Sequence, residues 1–92
     1  MPNIINNKQE YGEILASING KDVVSMRYFF YGAYNVAGTI KINSTTISDV
    51  TSAFGDVSNF TLKVPAGSVT YNTLSAASGS YDVPSNITIV QY

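Results

Sequence analysis

The sequence predicts a mainly β, or α+β, domain: an antiparallel sheet or small β-sandwich of about five strands with one helix near the N-terminus. Three observations predict it. Apolar and polar residues alternate over 36–42, 57–64 and 86–92, the period of a strand with one buried face. Residues 23–31 are dense in β-branched and aromatic side chains. Only one substantial segment, 7–18, carries apolar residues at helical spacing.

In that segment Tyr11, Ile14, Leu15 and Ile18 fall on one helical face, with Asn7 as a cap, Glu10 at the capping-box position and Asn19-Gly20 as a stop. The competing reading makes 13–18 a strand entering a type I′ turn at Asn19-Gly20. Residues 23–31, apolar on both faces, read as a central strand. It would form a hairpin with 36–42 across the turn Gly32-Ala33-Tyr34-Asn35. Ile47, Val50 and Phe54 then recur at i, i+3 and i+7. Thr46 and Asp49 offer a capping box and Gly55 a stop, so a short helix or a single helical turn is expected there. Within 57–64, Phe60, Leu62 and Val64 point inward. Pro65-Ala66-Gly67 is a turn, 68–74 a fourth strand, 75–80 a small-residue loop, and 86–92 the last strand with Ile87 and Ile89 on one face. No internal repeat and no linker stand out, so residues 1–92 read as a single domain.

Composition narrows the chemistry. The chain has 92 residues with no Cys and no His. It therefore has no thiolate nucleophile, no neutral-pH imidazole base, and neither of the side chains that most often bind zinc. The six carboxylates, Glu10, Glu13, Asp22, Asp49, Asp56 and Asp82, fall in predicted caps, turns and strand edges, and no run of them suits calcium. No Ser-x-x-Lys motif and no phosphate-binding glycine loop is present. An enzyme is not expected, and neither a cofactor nor a metal is implied. Three Asn-x-Ser/Thr triplets begin at Asn43, Asn59 and Asn86; composition alone generates about two, so they decide nothing.

Only 12% of residues are charged, about half the globular average, and the net charge is −1. That leaves no basic field for nucleic acid and little repulsion between copies. No stretch approaches the roughly 20 apolar residues of a membrane span, and residues 1–8 lack the features of a signal peptide. The sharpest local feature is Tyr28, Phe29, Phe30, Tyr31 and Tyr34, five aromatics in seven residues. Arg27, Tyr28, Tyr31 and Tyr34, joined by Tyr71 and Tyr92, are the candidate contact residues. Three functions follow, in order. The first is a non-enzymatic structural protein of an assembly, such as a phage head-decoration, cement or tail protein, that binds copies of itself or a larger shell or tail protein and resides in the virion. The second is a carbohydrate- or nucleotide-binding module built on the tyrosines. The third is a small host-directed protein inhibitor.

Overall fold

The computed structural model describes residues 19, 23–32, 37–55, 57 and 59–92. The predicted N-terminal helix, its hairpin alternative and Tyr34 lie outside these residues. The described regular elements are β1 (Thr39–Lys41), β2 (Phe60–Val64), α1 (Val69–Ala77) and β3 (Ile87–Gln91). The strands form one open sheet in the order β1-β2-β3, and both pairings are parallel.

This overturns the antiparallel sheet or sandwich of five strands. Parallel neighbours need a crossover of about a dozen residues or more. Residues 42–59 and 65–86 supply two, each returning the chain to the same end of the sheet. Thr39 lies beside Thr61, and Thr61 in turn beside Thr88. Ile40, Leu62 and Ile89 form the adjacent row in the same way. Each pass of the chain thus lays one strand beside the last, and the chain winds as a short solenoid.

The opposite wall repeats as well. Residues 23–31 are not a central strand, and among the described residues they form no hairpin with 37–42. Their partner is 49–55, again in parallel. The N–H groups of Met26, Tyr28, Phe30 and Gly32 donate to the carbonyls of Asp49, Thr51, Ala53 and Gly55 at 2.8–3.2 Å. Each segment is a chain of tight turns. Phe29 N–H donates to Met26 C=O, Tyr31 N–H to Tyr28 C=O, and Ala53 N–H to Val50 C=O. The two start alike: Ser25 Oγ accepts the Arg27 N–H, and Asp49 Oδ1 accepts the Thr51 N–H. Both then pass through a left-handed residue, Tyr28 at φ 57° and Ser52 at φ 52°. Ser25 and Asp49 are bridge partners, and the interval between them is the one that separates Tyr28 from Ser52. An internal repeat therefore exists, contrary to the sequence reading. Neither the short helix nor the single helical turn expected from Ile47 forms, and Ser52 at φ 52° is outside the helical region. Ser48, Thr51 and Ser52 are weak helix formers, and Asp49 spends its carboxylate on Thr51 in a turn.

The third coil replaces the turns with α1, where a fourth strand was expected at 68–74. Val69, Thr70, Tyr71 and Thr73 favour strand locally. Capping and packing override them. Ser68 Oγ accepts the Tyr71 N–H at 3.0 Å, and its hydroxyl donates to Pro65 C=O. Thr70 and Leu74, one helical turn apart, are buried on one face. Val69 N–H donates to Thr45 C=O, and Thr70 Oγ1 accepts the Ile47 N–H at 3.0 Å, which ties the helix to the coil before it.

The core lies between the two walls. The sheet supplies Ile40, Ile42, Phe60, Leu62, Val64 and Ile87; the turn wall supplies Met26, Phe29, Phe30, Val50, Ala53 and Phe54. Phe30 stacks on Phe54, its equivalent on the next coil, with centroids 5.3 Å apart and planes 9° from parallel. Phe60 lies 5.5 Å from Phe30 and 5.8 Å from Phe54, so one aromatic knot joins both walls.

Candidate functional site

The turn wall sets the aromatics. Its turns send Met26, Phe29 and Phe30 inward and leave Arg27 and Tyr28 exposed, with Tyr31 half-buried. Tyr28 is 42% exposed. The Arg27 guanidinium carbon sits 5.7 Å from the Tyr28 ring centroid, and Tyr31 meets Tyr28 edge-on at 5.8 Å. A left-handed backbone is unusual for a residue as bulky as Tyr, and here the neighbouring coil fixes it. Tyr28 N–H is held by Thr51 C=O, while Tyr28 C=O accepts the Tyr31 N–H.

Tyr81 completes this surface. It is 64% exposed and comes from the loop after α1. Its neighbour Asp82 accepts the Ser52 N–H at 2.8 Å, which anchors that loop on the second coil. The Tyr31 ring and the Tyr81 hydroxyl meet above Gly55. A Cβ on Gly55 would lie 2.6 Å from the Tyr31 ring and 3.1 Å from the Tyr81 oxygen. Gly55→Ala should therefore displace Tyr31 and cost about 1–3 kcal/mol of stability. Urea denaturation checks this. The cost should shrink in a Tyr31→Ala background, and an equal cost in both backgrounds would place the clash elsewhere.

The other predicted contact residues do not join the patch. Tyr71 is on α1, partly buried against the core. Tyr92 lies beyond β3, across the outer side of the sheet: its hydroxyl donates to Ile42 C=O at 2.6 Å, and Lys41 Nζ sits 4.4 Å from its ring centroid. Arg27, Tyr28 and Tyr31 are brought together. Tyr81 was not anticipated, since only the tertiary packing of its loop brings it beside Gly55.

The described carboxylates have structural tasks. Asp49 accepts the Thr51 hydroxyl at 2.7 Å, the Thr51 N–H and the Ser25 hydroxyl. These bonds, Thr51's hydroxyl first, hold its pKa below the ordinary carboxylate value, with a smaller contribution from the Arg27 charge. Among the described residues no three of His, Cys, Asp and Glu are grouped as metal ligands would be. A shallow hollow of about 420 Å³ opens where the strands begin, lined by Gly38, Asn59, Phe60, Thr61, Asn86 and Thr88. It contains no ionisable group and none of the tyrosines. No helix among the described residues is long and apolar enough to cross a membrane.

No protein-family model, curated protein or solved structure matches the chain.

Proposed function

We propose that the protein is a non-enzymatic structural subunit, and that Arg27, Tyr28, Tyr31 and Tyr81 are the surface it presents to its neighbours in an assembly that includes copies of itself. One observation carries the reading: Tyr31 of the first coil and Tyr81 of the third meet over Gly55, and Tyr28 with Arg27 adjoins Tyr31. Tyr and Arg are the side chains enriched at the energetic centres of protein interfaces, because each combines a large apolar body with a polar end. The backbone beneath is tied coil to coil, so little freedom is lost when a partner covers it. The low charge and the abundance of Ser, Thr and Asn along the chain favour a virion component, a head-decoration, cement or tail protein, as the kind of assembly. The small-ligand reading ranks below this one, since the described hollow where the strands begin is lined by none of these tyrosines.

The test is the mass of the chain in solution over a range of concentrations, by size-exclusion chromatography with light scattering. Wild-type chains should form a discrete oligomer. The Tyr28→Ala/Tyr81→Ala variant should associate at least about tenfold more weakly while melting within about 3 °C of wild type. Parallel losses of melting temperature and association would return both tyrosines to a folding role. A 9.9 kDa monomer at every concentration would overturn self-assembly.

A further inference from the structure

Among the described residues, β3 is an edge strand. β3 reads Ile-Thr-Ile-Val-Gln, and the described sheet has no strand beyond it. Its main-chain direction follows from Tyr92, whose N–H donates to Val64 C=O and whose C=O accepts the Ala66 N–H. In a strand these groups alternate sides. Thr88, Val90 and Tyr92 therefore turn theirs towards β2, while Ile87, Ile89 and Gln91 turn theirs outward. The Ile87 N–H is taken by Pro84 C=O at 3.0 Å. The Ile87 carbonyl and both main-chain groups of Ile89 and Gln91 remain directed along the edge.

Exposed edges are ordinarily guarded by a charge, a proline, a bulge or a covering loop. β3 contains no charged residue, Pro or Gly, and it pairs with β2 residue for residue without a bulge. Nor is its apolar row finished. Ile40 and Leu62 are buried at 2% and 0% exposure, yet Ile89, next in the same row, is only partly buried. On the outer face Val90 is 37% exposed.

We infer that two copies of this chain pair antiparallel through β3, with the two-fold axis at Ile89, joining two three-stranded sheets into one of six. The donors and acceptors on the edge are self-complementary in that register. Ile89 of each copy exchanges both main-chain bonds with Ile89 of the other, and Gln91 N–H of each donates to Ile87 C=O of the other. The missing Ile87 donor falls opposite the Gln91 carbonyl at the margin, where water satisfies it. Ile89 packs beside its own symmetry mate and completes the apolar row. Thr88 faces Val90 of the second copy as a non-hydrogen-bonded pair, with Cα atoms about 4.5 Å apart. No like charges meet, and an isologous contact closes at two copies. This inference stands on β3 alone, independently of the tyrosine surface.

The absence of Cys makes the register directly testable. Thr88→Cys/Val90→Cys places thiols across the proposed pair within disulfide reach. Mild oxidation should give a covalent dimer on a non-reducing gel. Gln91→Pro removes an outward N–H and leaves every bond to β2 intact. It should weaken the dimer about tenfold or more, since two symmetry-related bonds are lost, with the circular dichroism of the folded chain unchanged. It should also abolish the crosslink when combined with the two cysteines. Folded cysteine variants that stay monomeric on oxidation would overturn the inference. So would a wild-type dimer that Gln91→Pro leaves unchanged. If such a dimer dissociates in the Tyr28→Ala/Tyr81→Ala variant, the tyrosine surface is the interface and the β3 pairing is rejected.

Discussion

Replacing Phe30 with Ala is expected to cost about 3–5 kcal/mol, the largest loss of any single truncation discussed for this chain. Phe30 is fully buried and touches three other rings: Phe29 edge-on at 5.3 Å, Phe54 face to face at 5.3 Å and Phe60 at 5.5 Å. The first pair is within one segment. The Phe54 contact joins consecutive coils, and the Phe60 contact joins the turn wall to the sheet. Truncation removes buried apolar area and leaves a cavity that three rigid rings cannot collapse to fill, since planar side chains reorient only as whole units. A domain of this size has about 5–15 kcal/mol of stability in total, so the variant should be close to unfolded at moderate temperature. Urea denaturation of the wild type, Phe30→Ala and Phe30→Leu measures the effect, and the Leu variant should recover part of the loss. A cost below about 1 kcal/mol for Phe30→Ala would show that the stack does not hold the coils together.

Thr70→Val tests the joint between the second and third coils and should cost about 1–3 kcal/mol. The two side chains have nearly the same shape, so packing in the buried position is conserved. The loss is one acceptor: Thr70 Oγ1 takes the Ile47 N–H, and neither residue is exposed. Valine would leave that N–H buried without a partner, and the cost of stranding a donor exceeds the net gain from an average hydrogen bond. Thr70→Ser keeps the acceptor and loses only a methyl group. It should be the milder change, by denaturation midpoint and by amide exchange at Ile47. If Thr70→Val and Thr70→Ser cost the same, the hydroxyl's bond to Ile47 contributes little and the methyl group's packing dominates.

The sheet was legible in part. Alternation over 57–64 and 86–92 located β2 and β3, turned Phe60, Leu62 and Val64 towards the core and put Ile87 and Ile89 on one face, which the structure turns inward. The run 36–42 contains β1, though only Thr39–Lys41 pairs. The turn wall misled because Met26, Phe29 and Phe30 are apolar in a stretch rich in strand formers. Their burial comes from repeated tight turns, which have neither a period of 2 nor one of 3.6. The repeat was hidden for a related reason. Its interval is not constant: Thr39 pairs with Thr61, Ser25 with Asp49 and Thr61 with Thr88, three different spacings. Its third coil also substitutes a helix for the turns. At the site, Arg27, Tyr28 and Tyr31 were identifiable as a local cluster. Tyr81 carried no such signal, because its neighbourhood depends on Asp82 bonding to the distant Ser52.

By itself the sequence determined the local matters: which residues prefer extended backbone, which side of β2 and β3 is apolar, and that neither a thiol nor an imidazole is available. Tertiary structure alone decided that the strands run parallel, that 69–77 is a helix despite its strand formers, and that Tyr28, Tyr31 and Tyr81 share one surface. The division has a physical cause. Alternation and propensity act over a few consecutive residues. Strand direction, by contrast, is set by hydrogen bonds between segments far apart in the chain, such as those around Thr39, Thr61 and Thr88. Likewise, α1 is held by Thr70 and Leu74 packing onto a core built from the rest of the chain.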